Sequence, residues 1–194
     1  MFTTQTVHQI QQFFGDSWYP FFEGISIFGN LLISTILVYI LIGGFDFRKG
    51  ILVANFLIIS ILVSFLLKSA SDYPRPLNID PTLNSFGFET GEDLISLQPE
   101  GFFELFGEQI LAKVRSTKLP REGFPSGHTA IITALLLGSF LVWRKKWMIP
   151  TFSIVVVLMM ASRVYLARHY LGDVIGGLLI TIVVVGLIYL LNKQ

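Results

Sequence analysis

No cysteine occurs among the 194 residues. That rules out a disulfide, a zinc–thiolate site and a thiol nucleophile, and it leaves the redox compartment open. Charge is scarce too. Asp, Glu, Lys and Arg together make up 14% of the chain, against about a quarter in a soluble domain. The formal net charge is +1, so nothing in it draws nucleic acid, and no nucleic-acid partner is expected. The chain does not open on a basic stretch followed by a short apolar run and a small-residue cleavage site, so no signal peptide is expected and the first apolar span should direct insertion itself. Internal repeats and low-complexity segments are absent, and there are only three histidines.

What the chain does have is apolar length. Hydrophobic residues make up 53% of it, and the mean hydropathy is +0.67. Five runs, at 25–44, 51–67, 126–143, 147–162 and 170–191, approach the roughly 17–25 residues that a helix needs to cross hydrocarbon. The expected fold is all-α: a polytopic membrane bundle of five to six transmembrane helices with interfacial amphipathic helices, in one domain over 1–194. Residues 1–22 are too polar to span, but Val7, Ile10, Phe14, Trp18 and Phe21 recur at helical spacing. They read as an interfacial helix or, alternatively, as a frayed terminus with aromatic anchors. A tilted sixth span within 6–22 is the remaining option.

If the five spans alternate, Arg48, Lys49, Arg144, Lys145, Lys146 and Lys193 share one side. The positive-inside rule makes that side cytoplasmic. The 68–125 loop and the 163–169 turn then face outward, toward a periplasm, exterior or lumen. The loop is too long for a plain connector. Phe102, Phe103, Phe106, Ile110 and Val114 predict a second amphipathic helix within it, weakened by Gly107. Its acids read mostly as a solvated face. Lys113, Arg115, Lys118 and Arg121 form a basic run that would meet a second phosphate, anionic head groups or solvent.

Three stretches carry chemistry. Lys68 closes the second run, and Arg75-Pro76 opens the loop. Pro125-Ser126-Gly127-His128 starts the third run, where serine is a good N-cap, glycine permits close approach, and the free N–H groups of a helix start form an anion site. Ser162-Arg163 and His169-x-x-x-Asp173 bracket the last turn. His169 and Asp173, four apart, share a helix face, so the carboxylate can fix the tautomer and leave the other ring nitrogen free to attack. Each stretch also has a plainer reading: a snorkelling lysine before a proline turn, a capped helix with an interfacial histidine, a cationic turn whose His169 and Asp173 merely satisfy each other. The alternation of spans, however, puts all three on the same outer side. Lys68, Arg75 and Arg163 together with helix N–H donors suit a phosphoryl group, whose transition state spreads negative charge over equatorial oxygens. Two histidines on separate elements suit a two-step transfer. No carboxylate cluster suggests a divalent metal, and no cofactor is called for.

Lys-x6-Arg-Pro, Pro-Ser-Gly-His and Ser-Arg-x5-His-x3-Asp resemble, in order and without substitution, the three signature motifs of the type 2 phosphatidic acid phosphatase superfamily. That superfamily includes bacterial lipid phosphatases, mammalian lipid phosphate phosphatases, glucose-6-phosphatase and the vanadium haloperoxidases. The resemblance covers Lys68 to Asp173 and, more loosely, the helical framework. It implies metal-independent hydrolysis of a phosphate ester or diphosphate. Carried onto this chain, His169 would be the nucleophile forming a phosphohistidine, Asp173 would orient it, and His128 would act as general acid and then base. Lys68, Arg75, Ser126, Gly127 and Arg163 would hold the phosphate. The expected substrates are lipids of the phosphatidate, phosphatidylglycerophosphate, undecaprenyl diphosphate or lipid A phosphate type. The expected setting is a bacterial inner membrane with the site facing outward. A lipid phosphotransferase would use the same site with another acceptor. A non-catalytic lipid-binding protein would need lost catalytic residues, and none is missing. Oligomeric state is left open.

Overall fold

The computed structural model describes residues 1–101, 103–117, 120 and 122–192. All the regular structure in these residues is helical. The helices are α1 (Gln5–Phe14), α2 (Tyr19–Ile27), α3 (Leu31–Gly44), α4 (Phe47–Ser71), α5 (Pro76–Ile79), α6 (Glu108–Arg115), α7 (Gly127–Trp143), α8 (Met148–Tyr165) and α9 (Leu171–Leu191), with short 3₁₀ turns at Asp16–Trp18 and Ile95–Leu97.

Side-chain caps set several helix starts. Asn30 accepts from the Leu32 N–H at 2.9 Å before α3, Asp46 from the Lys49 N–H at 3.1 Å before α4, and Ser126 from the Thr129 N–H before α7. Each such cap is worth about 1 kcal/mol. Helix α7 is the centre of the bundle and packs on α3, α4, α8 and α9. Its apolar residues are buried on nearly every face. Small residues let neighbours close in. Gly138 of α7 faces the Phe56 ring of α4, and Gly50 of α4 faces the Ile42 backbone of α3, which is how helices pack where no water drives them together. The outer faces expose Ile58, Leu62 and Phe65 of α4, Ile154 and Val157 of α8, and Leu179, Val183 and Leu187 of α9. A belt that apolar faces lipid.

Three helices, containing α4, α8 and α9, are each long and apolar enough to cross a membrane, and the bent pair of Asp16–Ile27 and Leu31–Gly44 adds a fourth if counted as one span. Helix α7, at 17 residues, is apolar but shorter. The first span differs from the expected 25–44. In its place the segments Asp16–Ile27 and Leu31–Gly44 meet at 49° across residues 28–30. The expected single helix over 1–22 is correspondingly divided at Gly15, whose φ of +69° no helix continues through. Val7 of α1 is buried in a cluster with Leu77, Val164 and Val174, so α1 lies on protein over the ends of α8 and α9.

In the long loop the amphipathic helix starts at Glu108, because Gly107 caps it in an extended conformation. Phe106 is buried before it and Phe103 is exposed, while Phe102 lies outside the described residues. Asp80 departs from the solvated acids. It is fully buried, takes the Thr82 hydroxyl at 2.6 Å and meets His8 Nε2 of α1 at 2.9 Å. Burial alone would raise its carboxyl, but the hydrogen bonds of Thr82, Thr4 and His8 outweigh that and hold it below the usual range.

The chain direction sorts the ends of the bundle. Lys68 lies at the end of α4, Ser126 at the start of α7, Arg163 at the end of α8 and Asp173 at the start of α9. Arg48, Lys49 and Arg144–Lys146 lie at the opposite ends of these helices.

Candidate active site

Three locks bring the motif residues together. In the first, the Ser126 N–H donates to the Asp173 carbonyl at 2.9 Å, tying the start of α7 to the start of α9. Gly177 permits this approach, since a Cβ there would stand 2.7 Å from the Ser126 carbonyl oxygen. In the second, the Gly123 N–H donates to the Tyr73 carbonyl at 2.8 Å and the Ser71 hydroxyl to the Phe124 carbonyl at 2.8 Å. These bonds bind the segment before α7 to the end of α4. In the third, the Ser162 hydroxyl donates to the Phe22 carbonyl at 2.7 Å and Arg163 Nη1 to the Ser26 hydroxyl at 2.5 Å, bringing in α2.

Between α8 and α9 the chain turns in five residues. The N–H groups of Arg168 and His169 both donate to the Arg163 carbonyl, at 3.1 and 3.3 Å. Ala167 takes a left-handed φ of +53° to make the turn, at a cost of about 1–2 kcal/mol for a residue with a Cβ. The turn sets the His169 ring against Asp173, with Nδ1 3.4 Å from Oδ2, a long contact. The same Oδ2 takes the Tyr170 N–H at 2.8 Å. His169 is 3% exposed and Asp173 fully buried.

All eight residues singled out by the motifs meet here. Lys68, Arg75, His128 and Arg163 all act electrostatically on the His169 imidazole. Burial first, and then these charges, push His169 well below the ordinary histidine range, so it is neutral at pH 7. Lys68 Nζ spends one proton on the Glu122 carbonyl at 2.6 Å and keeps two. Ser126 uses its hydroxyl in the cap of α7, with Thr129 Oγ1 also donating to it at 3.1 Å. Helix geometry leaves the Gly127 and His128 N–H groups without intrahelical acceptors. The Nε of Arg75 and of Arg163 and the Oδ1 of Asp173 are buried with no hydrogen-bond partner among the described residues. Buried donors of this kind are rare without a ligand to satisfy them.

Two cavities open on this cluster. One, about 220 Å³, is lined by Glu23, Ser26, Ile27, Asn30, Phe88, His128, Arg163 and Arg168. The other, about 270 Å³, is lined by Arg75, Leu77, Asn78, Phe88, Glu89, Pro120 and Arg168. Arg168 forms part of both walls and lies over the Phe88 ring. Burial and the charge of Arg75 push its guanidinium down to about 10, still a cation at neutral pH. Arg168 was visible in the sequence as the second cation of the last turn, but its residue type alone did not separate it from a membrane anchor. Glu23, Ser26 and Asn30 gave no sequence signal. The basic run of the loop does not enter the site where it is described. Lys113 pairs with Glu92 at 3.3 Å and Arg115 with Asp72 at 2.8 Å, while Lys118 and Arg121 lie outside the described residues.

A family model described as the PAP2 superfamily matches residues 49–194. Two curated relatives match over shorter stretches. A lipid A 4'-phosphatase of Porphyromonas gingivalis is 34% identical over 67 residues, which is 34% of this chain and 28% of that protein. A putative undecaprenyl-diphosphatase, YbjG, of Escherichia coli K12 is 38% identical over 58 residues, which is 30% of this chain and 29% of that protein. The matched stretches thus span less than a third of either relative. No solved structure matches.

Proposed function

This chain belongs to the PAP2 superfamily, and from that premise we propose that it hydrolyses a phosphate monoester or diphosphate borne by a membrane lipid, through a phosphohistidine on His169. The observation that carries this reading is a buried, neutral His169 whose Nδ1 faces Asp173, inside a group of cations where the Nε atoms of Arg75 and Arg163 have no hydrogen-bond partner among the described residues. An oxyanion would supply the acceptors those donors lack.

In the first step Nε2 of His169 attacks phosphorus, a P–N bond forms, and the P–O bond to the lipid breaks. His128 gives a proton to the departing oxygen. In the second step water attacks phosphorus, the P–N bond breaks, and His128 takes the proton of that water. Inorganic phosphate leaves and both histidines return to their starting state. Asp173 holds the Nδ1–H and offsets the positive charge that His169 acquires. Lys68, Arg75, Arg163 and the Gly127 and His128 N–H groups stabilise the equatorial oxygens. Preorganised cations do the electrostatic work here, so the proposed reaction needs no metal.

The apolar helices make this an integral membrane protein. We read 1–194 as one domain, with α7 completing a five-span bundle and α1 and α6 at its outer interface. We read those ends as cytoplasmic on the basic residues at the α3–α4 and α7–α8 turns. The site then faces the periplasm or exterior of a bacterial inner membrane. The substrates put forward are phosphatidate, phosphatidylglycerophosphate, undecaprenyl diphosphate and lipid A phosphate.

The test is phosphate release in detergent micelles from that panel, wild type beside His169→Ala. Release that the variant abolishes is the expected result. Release equal in both proteins, or from no substrate by a folded wild type, would overturn the hydrolase. Release that appears only on adding a second lipid or sugar would assign phosphotransfer instead.

A further inference from the structure

The bend between α2 and α3 has a chemistry of its own. It lies outside residues 49–194, the part matched by the family model, yet it supplies half of one cavity wall. Gly29 sits at the bend against His128, where a Cβ would come within 2.8 Å of the histidine Cβ and Cδ2. Glu23, Ser26, Ile27 and Asn30 therefore share the cavity that His128 lines. On the proposed reading His128 protonates the leaving oxygen, which puts that oxygen beside the His128 wall of this cavity. The rim supports that placement. Ile27, Phe28, Leu31 and Leu32 are each about half exposed or more, an apolar edge along which lipid tails can depart.

The polar groups of this wall match a particular leaving group. Ser26 is engaged by Arg163. Asn30 uses its carbonyl oxygen as the cap of α3, which leaves its amide N–H₂ as donor. Glu23 has no hydrogen bond or ion pair among the described residues, although it shares the cavity with Arg163 and Arg168 and interacts electrostatically with both. A carboxylate without a hydrogen bond can accept from a hydroxyl group, and the amide beside it can donate to one.

We propose that this cavity is the leaving-group subsite and that Glu23 is its specificity-determining residue, selecting a lipid whose phosphate sits on a hydroxyl-bearing carrier, glycerol or sugar, over one whose leaving group has no hydroxyl. The inference rests on His128 acting as the acid in the proposed hydrolysis. Selection arises because a site built to bind a hydroxyl leaves its polar groups unpaired when the hydroxyl is absent.

The experiment compares kcat/KM in micelles for lysophosphatidate, an acylated glucosamine phosphate, dodecyl phosphate and farnesyl diphosphate. Wild type, Glu23→Gln and Glu23→Asp are assayed. Wild type should favour the first two over the last two by about tenfold or more. Glu23→Gln should lose most of that preference, and Glu23→Asp should keep it. Whichever of the first two is faster names the carrier. A wild-type preference for farnesyl diphosphate, or a Glu23→Gln variant that changes all four substrates by one factor, would overturn the subsite while leaving the hydrolase standing. Hydrolysis of none of the four by the folded wild type would remove the hydrolase and the subsite with it.

Discussion

Gly177→Ala puts one methyl group where α9 passes the start of α7. The new Cβ would stand 2.7 Å from the Ser126 carbonyl oxygen and 3.4 Å from both the Ser126 nitrogen and Thr129 Cβ. Ordinary contact begins near 3.4 Å, so the helices must part by about 0.7 Å. The obstructing atom is backbone, and no rotamer change relieves it. Alanine is the better helix former by about 1 kcal/mol, but overpacking of this kind costs about 1–3 kcal/mol, so stability should be unchanged or fall slightly. Function should suffer more. The Ser126 N–H to Asp173 carbonyl bond spans this joint. Its loss shifts the Gly127 and His128 N–H groups away from His169. Misplacement by about 1 Å costs up to about 100-fold in rate, so kcat should fall about tenfold to 100-fold while the variant still folds. Phosphate release in micelles gives the rate, and thermal unfolding in the same detergent gives the stability. Gly186→Ala is the control, because nothing lies within 4 Å of its added Cβ. A Gly177→Ala enzyme with wild-type kcat would refute the claim that the α7–α9 joint sets the site.

Ser26→Ala removes the hydroxyl that holds Arg163 Nη1. Hydrogen bonds to charged groups justify about a tenfold weakening of vanadate inhibition, and unchanged inhibition would show that Arg163 is placed without α2. Asp173→Asn should leave KM near wild type and lower kcat by several orders of magnitude, about 10⁴-fold where a comparable carboxylate was replaced; a normal kcat would make Asp173 structural. His169 binds its proton far less readily folded than unfolded. Below about pH 6.5 the unfolded chain therefore holds the extra proton, and stability falls as pH drops toward the lowered folded value, by about 1.4 kcal/mol per pH unit. Thermal unfolding from pH 7 to 5 should show that slope, with a shallower one in His169→Asn; equal slopes would mean that His169 takes up its proton as readily in the fold as in the unfolded chain.

The site was legible because its residues sit at fixed short spacings. His169 and Asp173 are one helical turn apart, and Ser126 is a cap whatever lies around it. What was not legible depended on packing between distant segments. Pro20, Glu23 and Gly24 interrupt the apolar run ahead of residue 25, so hydropathy ends the span there, yet Glu23 lines the cavity beside His128 and Arg163. Arg168 looks from its type like a membrane anchor, and only the fold of the last turn directs it inward. In the loop, Gly107 was legible as a weak point of the helix, and it became the boundary because an extended cap satisfied it better than a helical interior. The pairing of Lys113 with Glu92 joins parts of the loop that no periodicity relates.

The central claim is a covalent phosphoryl group on His169. Wild type mixed with a ³²P-labelled lipid phosphate and quenched in alkali within one turnover should retain label on the protein. That label should be stable to base, lost in acid, map to the peptide that contains His169 and be absent from His169→Ala. Rapid turnover with no retained label, or label that maps to His128, would contradict the mechanism.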